Sequence, residues 1–130
     1  MKTELFYLSL TAAFTGLLWV PYVLDRFFVR GILGAIGYPE NPKPQSLWAQ
    51  RLMLAHTNAV ENLVVFAPLV LAAAALGLEG GLIASAAVLY FWARVVHAAA
   101  YTLKIPGVRT LAFVAGFAAQ AMVAVSILMH

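Results

Sequence analysis

Four polar or ionisable side chains lie inside two of the most apolar segments of this 130-residue chain: Asn58, Glu61, Arg94 and His97. Placing a charged side chain at the centre of a membrane helix costs about 2.5–3.5 kcal/mol on insertion scales. Groups with such a cost need a partner, water or a function. Together they offer one charge of each sign and several hydrogen-bond donors and acceptors, so they are the first candidates for a site.

The spacing of the polar residues gathers them on one face of each of two helices. On the first of these helices, Asn58 follows Arg51 by seven residues and precedes Glu61 by three, so all three project from one broad face. The next helix carries a polar stripe at spacings of four, three and four, formed by Tyr90, Arg94, His97 and Tyr101. Two such stripes on neighbouring helices predict the lining of a polar pocket.

Glu61 and Arg94 are the expected ion pair between these stripes. Each lies about ten residues from a basic residue near its helix end, Arg51 and Lys104 respectively, which is roughly 15 Å along a helix. Both charges therefore reach the middle of a hydrocarbon layer about 30 Å thick, where each needs a partner. Such a pair can simply fix the packing of a bundle. The surplus of donors and acceptors around it favours a ligand pocket.

Other uses of these residues stay open as alternatives. His56 and His97 are possible metal ligands, but no three convergent ligands occur at helical spacing, so no metal site is expected. A proton or ion pathway through Glu61 and His97 is a further alternative, although no internal repeat of the transporter type is visible. His56 lies close to a helix end and is expected at the membrane interface.

The composition is that of a membrane protein. The chain is 64% hydrophobic and 10% charged, with a mean hydropathy of +0.91, whereas soluble domains contain about 25% charged residues. Apolar stretches at 5–24, 52–78, 82–103 and 108–129 are each near or above the ~20 residues that span a bilayer. Long continuous stretches differ from the short alternating strands of a barrel. The sequence predicts an all-α, integral-membrane four-helix bundle, with a single domain over 1–130.

Cysteine and charge usage exclude several function classes. Cysteine is absent, which excludes disulfides, thiolate metal sites and a cysteine nucleophile. The net charge is +3, but the basic residues form no run, so nucleic acid is not an expected partner.

A signal peptide is an alternative interpretation of the first apolar stretch, although this stretch is long and lacks an evident small-residue cleavage site.

Glycine and proline set the predicted helix boundaries. The first helix is predicted over 4–30, with a kink at Pro21. Residues 31–46 contain three glycines and three prolines and form the one long loop, after which Ser46 is predicted to cap the next helix. The remaining helices are predicted over 47–77, 82–103 and 108 to almost 130. Their short connections require antiparallel neighbours.

The distribution of basic residues predicts the orientation in the membrane. The first and third loops and their flanks hold most of the basic residues, while the second connection holds only Glu79. These basic residues are Arg26, Arg30, Lys43, Arg51, Lys104 and Arg109. The positive-inside rule then places loops one and three in the cytoplasm and both termini outside.

Two segments resemble the signatures of a known family. The segment from Arg51 to Asn62, RLMLAHTNAVEN, is similar to the second-helix pattern R-x-x-x-A-H-x-N-x-x-E of the MAPEG family, the membrane-associated proteins in eicosanoid and glutathione metabolism. The segment from Ala93 to Tyr101, ARVVHAAAY, followed by Arg109, resembles the third-helix signature and the arginine that opens the fourth helix. Two motifs at the right separation make the resemblance specific, and the length agrees over the whole chain.

The resemblance implies a homotrimer of four-helix subunits in a membrane, here a bacterial inner membrane, with ligand sites between subunits. Active members bind glutathione and conjugate it, reduce peroxides or isomerise lipid endoperoxides. The implied cofactor-binding residues are Arg51, Asn58, Glu61, Arg94, His97 and Tyr101. Arg109 occupies the place of the arginine that stabilises the thiolate, and Tyr101 the place of a hydrogen-bond donor. A guanidinium beside a thiol favours its ionised, nucleophilic form.

The chain departs from the family pattern at several positions. Leu54 stands where glutathione-using eukaryotic members typically carry Arg, and Thr57 where a basic residue is frequent. Phe113 stands near a position that is Tyr in some members, and Thr110 replaces a Ser while keeping a hydroxyl. Each lost charge-assisted contact to glutathione costs on the order of 1.5–3 kcal/mol. The expected function is a glutathione transferase or peroxidase acting on lipophilic small molecules from the bilayer; the alternative is a non-catalytic binding or structural member.

Overall fold

The computed structural model describes all 130 residues and contains five α-helices and no strand. They are α1 Thr3–Leu17, α2 Trp19–Ile36, α3 Leu47–Ala75, α4 Gly81–Thr102 and α5 Val108–Leu128. The first two follow one another as a single span, Thr3–Ile36, so four helical spans are long and apolar enough to cross a membrane. The all-helical, four-span prediction is confirmed.

The first span is longer than predicted and is divided at Leu18. Pro21 has no N–H to donate to the carbonyl of Leu17, four residues earlier, which breaks the helical hydrogen-bond ladder there. The Leu18 N–H bonds instead to the carbonyl of Thr15, three residues back, at 3.3 Å. The predicted break after Arg30 is present, because Gly31 adopts a non-helical conformation with φ 71°. The helix that resumes beyond it to Ile36 was predicted as loop.

A buried carboxylate holds the long loop against α2. The Asp25 side chain accepts hydrogen bonds from the Ser46 hydroxyl at 2.6 Å, the Ser46 backbone N–H at 3.0 Å and the Gln45 amide at 3.2 Å. Gln45 also donates to the Tyr22 carbonyl at 2.6 Å. Ser46 is the N-cap residue of α3, as predicted, but its hydroxyl bonds to Asp25 and not to the helix.

α4 is the central helix of the bundle. It contacts α1, α3 and α5, and most extensively α5, where Ala112, Gly116 and Ala119 form much of the buried face. Toward the end of the bundle that holds the α3–α4 turn, the rings of Phe66 and Tyr90 stack with their centroids 3.8 Å apart. This packing fixes α3, α4 and α5 relative to one another, and those three helices carry the polar residues.

Candidate functional site

A polar cavity of about 280 Å³ lies where α3, α4 and α5 meet. It is lined by Asn58 of α3, His97 and Tyr101 of α4, and Arg109, Thr110 and Phe113 of α5. The α4 residues are four apart and share a helix face, and the α5 residues come from its first two turns. We call this cavity the polar pocket. It brings together four of the seven predicted site residues.

Arg94 lies behind the polar pocket and holds its wall in place. Its side chain is 2% exposed, and one Nη donates to the Asn58 carboxamide oxygen at 2.7 Å. The same Nη lies 3.3 Å from His97 Nδ1, which can only accept from a guanidinium. The Arg94 Nε has no hydrogen-bond partner. Arg94 therefore orients two residues of the pocket while bringing a buried positive charge close to it.

A further pair of amide side chains, Asn62 and Gln120, extends this network, and Gln120 was not predicted from the sequence. The Asn62 amide donates to the Asn58 carbonyl at 2.8 Å, and the Gln120 amide donates to the Asn62 side-chain and backbone oxygens, each at 3.3 Å. Gln120 is buried within α5. The signal that identified the other residues, a polar group in an apolar span, also applies to Gln120.

Aromatic rings form the remaining walls of the polar pocket. The Arg109 guanidinium carbon lies 4.6 Å from the centroid of the Tyr101 ring, within the range of a cation–π interaction. The His97 ring packs against Tyr101 and Phe113, with centroid separations of 5.7 and 6.3 Å. The guanidinium of Arg109 is thereby held at the edge of the pocket with its donors available to an anionic ligand.

The predicted ion pair between Glu61 and Arg94 does not form within the chain. Arg94 uses Asn58 and His97 instead, and the Glu61 side chain is exposed on the surface of the single subunit. Asn58 and not Glu61 is the residue of α3 that faces Arg94. Glu61 is three residues further on, and its side chain points away from α4 by about 60° relative to Asn58.

Arg51 lies outside the polar pocket, in a neighbouring cavity of about 400 Å³. This cationic cavity also contains Lys104 and shares Tyr101 and Arg109 with the polar pocket. The Arg51 Nε donates to the Thr102 carbonyl at 2.9 Å, which ties the start of α3 to the end of α4. Arg51 is therefore adjacent to the predicted site and not a wall of it.

Neither Tyr90 of the predicted polar stripe nor His56, which was expected at the membrane interface, lines the polar pocket or the cationic cavity. The Tyr90 ring is fully buried against Phe66 and lines neither cavity. His56 Nδ1 lies 2.9 Å from the Tyr22 hydroxyl, which links α3 to α2. The two histidines in the spans thus have separate partners, Tyr22 for His56 and Arg94 for His97.

These features define an integral membrane protein of four helical spans with a polar, cation-lined pocket among three of them. The sequence model of the MAPEG family matches residues 5–129, and the chain belongs to that family. MAPEG members are membrane proteins that form trimers, and the family includes glutathione transferases and peroxidases as well as non-catalytic members. No curated protein matches the chain significantly.

Leu54 and Thr57 stand where members of the family carry basic residues, and neither residue contributes to the polar pocket. Leu54 is 56% exposed on the surface of α3. The Thr57 hydroxyl donates to the Met53 carbonyl of its own helix at 3.1 Å and is also exposed. Neither residue lines the polar pocket or the cationic cavity.

Proposed function

We propose that the protein is a membrane-bound glutathione transferase or peroxidase that acts on lipophilic electrophiles. The observation that carries this proposal is the convergence of Asn58, His97, Tyr101 and Arg109 on one cavity, as the family resemblance implies. Its volume of about 280 Å³ is close to the lower end of the range for small-molecule sites, roughly 300–1,000 Å³, and the adjoining cationic cavity extends it.

The polar pocket suits an anionic thiol. Arg109 offers a fixed guanidinium, the buried Arg94 adds a second positive charge behind the wall, and no acidic residue lines the cavity. Positive charge beside a thiol favours the thiolate, which is the reactive form. Glutathione, when bound, supplies the sulfur nucleophile. In conjugation the sulfur forms a bond to an electrophilic carbon, and the leaving group departs with the bonding electron pair.

The roles of the remaining residues follow from their geometry. We assign to the Tyr101 hydroxyl the role of hydrogen-bond donor to the ligand. Its ring lines the pocket, lies against the Arg109 guanidinium and packs edge-on against His97, which supports this role. Asn58 and His97 supply polar atoms that orient a peptide ligand. Thr110 adds a hydroxyl at the same rim. The lipophilic substrate would enter from the bilayer, where the surface of the helices is apolar.

The exposed position of Glu61 supports a site that is completed by another subunit. An exposed carboxylate in the middle of a membrane span costs about 2.5–3.5 kcal/mol if it faces lipid. A neighbouring copy in a homotrimer removes that cost by supplying a polar surface or a cation. We propose that Glu61 lies at this subunit boundary and helps to bind glutathione there. We also propose that loops one and three, which hold most of the basic residues, face the cytoplasm in a bacterial inner membrane.

The experiment that tests the proposal is binding and turnover with the purified, reconstituted protein. We expect saturating glutathione to raise the thermal midpoint, and a chlorodinitrobenzene-type substrate to be conjugated. Arg109→Ala should reduce turnover while the thermal midpoint without ligand stays almost unchanged, because Arg109 is exposed at the helix start. Lys43→Ala is a matched control that removes an exposed charge from the same end of the bundle.

The alternative is a non-catalytic member with the same fold. The exposure of Leu54 and the self-satisfied hydroxyl of Thr57 favour it, because two family contacts to glutathione carboxylates are missing there. Glutathione that neither stabilises the protein nor supports conjugation would establish this alternative.

A further inference from the structure

The cationic cavity extends the polar pocket and has a strongly basic lining of its own. Three basic side chains line it, Arg51, Lys104 and Arg109, and no acidic residue does. The α4–α5 turn that forms its floor ends at Gly107, directly before the first turn of α5. The N-terminus of a helix presents unpaired N–H groups and the positive end of the helix dipole. Side chains and backbone therefore favour an anion at the same place.

Arg51 is fixed in this cavity and not freely mobile. Its Nε is held by the Thr102 carbonyl at 2.9 Å, which leaves the two terminal nitrogens as free donors. Fixed guanidinium groups suit carboxylates because two N–H groups can bind both oxygens. Lys104 lies in the turn itself, with its backbone in the left-handed region at φ 58°, and adds a second positive charge. The cavity thus contains the fixed guanidinium of Arg51, with two free terminal nitrogens, and the ammonium group of Lys104.

The cationic cavity and the polar pocket adjoin along the stacked Tyr101–Arg109 pair, which lines both. A ligand that reaches past this pair therefore places one end in each cavity. The end in the polar pocket contacts carboxamide, imidazole and phenol groups, while the other end meets Arg51 and Lys104. This arrangement fits a short peptide whose thiol lies near Arg109 and whose carboxylate lies beyond it.

We propose that Arg51 and Lys104 form a carboxylate subsite for the thiol peptide, which replaces the contacts that Leu54 and Thr57 do not provide. The inference rests on the proposed glutathione function and specifies how this chain holds the charged end of the ligand. The subsite recognises a carboxylate group, because three basic side chains and no acidic side chain line it.

The test compares glutathione with its diethyl ester, in which both carboxylates are masked. Calorimetric titration is performed on the full-length protein in phosphatidylcholine nanodiscs, so that no anionic lipid competes. Lys104→Gln and Arg51→Gln should each weaken glutathione binding by on the order of ten-fold, the usual effect of losing one charge-assisted contact. Neither should weaken binding of the diethyl ester. Lys104 is exposed, so its substitution leaves the fold intact.

Lys43→Gln is the control, because it removes the same charge from the same end of the bundle but outside the cavity. It should leave both affinities unchanged. If both cavity variants bind glutathione as tightly as the wild-type protein does, the carboxylate subsite is overturned and the proposed function stands. An equal loss for glutathione and its ester would also overturn it. Absence of glutathione binding to the wild-type protein would overturn both proposals.

Discussion

The hydrogen bond between Arg94 and Asn58 should make a large contribution to the stability of the bundle. Asn58→Leu removes the carboxamide while almost preserving the side-chain volume. Arg94 is 2% exposed, its Nε has no partner, and no carboxylate is available to it within the subunit. The variant leaves the guanidinium with the 3.3 Å contact to His97 alone. Loss of a buried, charge-assisted hydrogen bond costs about 1.5–3 kcal/mol.

The assay is the free energy of unfolding in mixed micelles, followed by tryptophan fluorescence during titration with a denaturing detergent. Thr57→Ala is the matched control on the same helix, because its hydroxyl is exposed and bonds only within its own turn. It should change stability by less than about 0.5 kcal/mol. Thermal midpoints of the same variants should follow the same order.

A double-mutant cycle separates the hydrogen bond from a local packing effect. In an Arg94→Met background the buried charge is gone, so Asn58→Leu should then cost little. We expect a coupling energy of about 1–3 kcal/mol, as for other contacting polar pairs. An additive result, or a loss in the single Asn58→Leu variant no larger than that of Thr57→Ala, would refute the role assigned to this contact.

Three further predictions follow from the structure. Asp25→Asn should destabilise the protein by about 1.5–3 kcal/mol in the same unfolding assay, because the charged acceptor that holds the long loop is lost; Glu40→Gln, in the exposed part of that loop, should have no effect. Tyr101→Phe should lower the conjugation rate but not stability, because the ring that stacks on Arg109 remains; an unchanged rate would exclude the hydroxyl from catalysis. Glu61→Gln should weaken the proposed homotrimer, measured by native mass spectrometry in detergent, and an unaltered assembly would argue against a boundary position for Glu61.

Much of the fold could be predicted from the sequence because each apolar span is limited by strong local signals. Pro106 and Gly107 lie in the turn between α4 and α5, and the predicted start of the last helix at Val108 agrees with the structure. The first span was less predictable. Gly31 does leave the helical conformation, but the residues after it form another helical turn up to Ile36, and the glycines and prolines of this stretch had indicated a loop.

The candidate site was predictable in its residue types and less so in its pairings. Helical spacing brought His97 and Tyr101 to one face, and they line one pocket. The partner of Arg94 was misassigned because residues three apart differ in direction by about 60°, enough to turn Glu61 outward while Asn58 faces Arg94. The Asp25 contact to Ser46 joins residues 21 apart across a loop, and no periodicity predicts such a pairing.

The most direct test of the central claim, that the polar pocket binds glutathione, is an experimental structure of the membrane-embedded protein determined with glutathione present. We predict density for the tripeptide in the polar pocket, with its sulfur within hydrogen-bonding distance of the Arg109 guanidinium and a carboxylate at Arg51 and Lys104. A polar pocket that stays free of glutathione at saturating concentration, or a tripeptide bound elsewhere on the protein, would contradict the account.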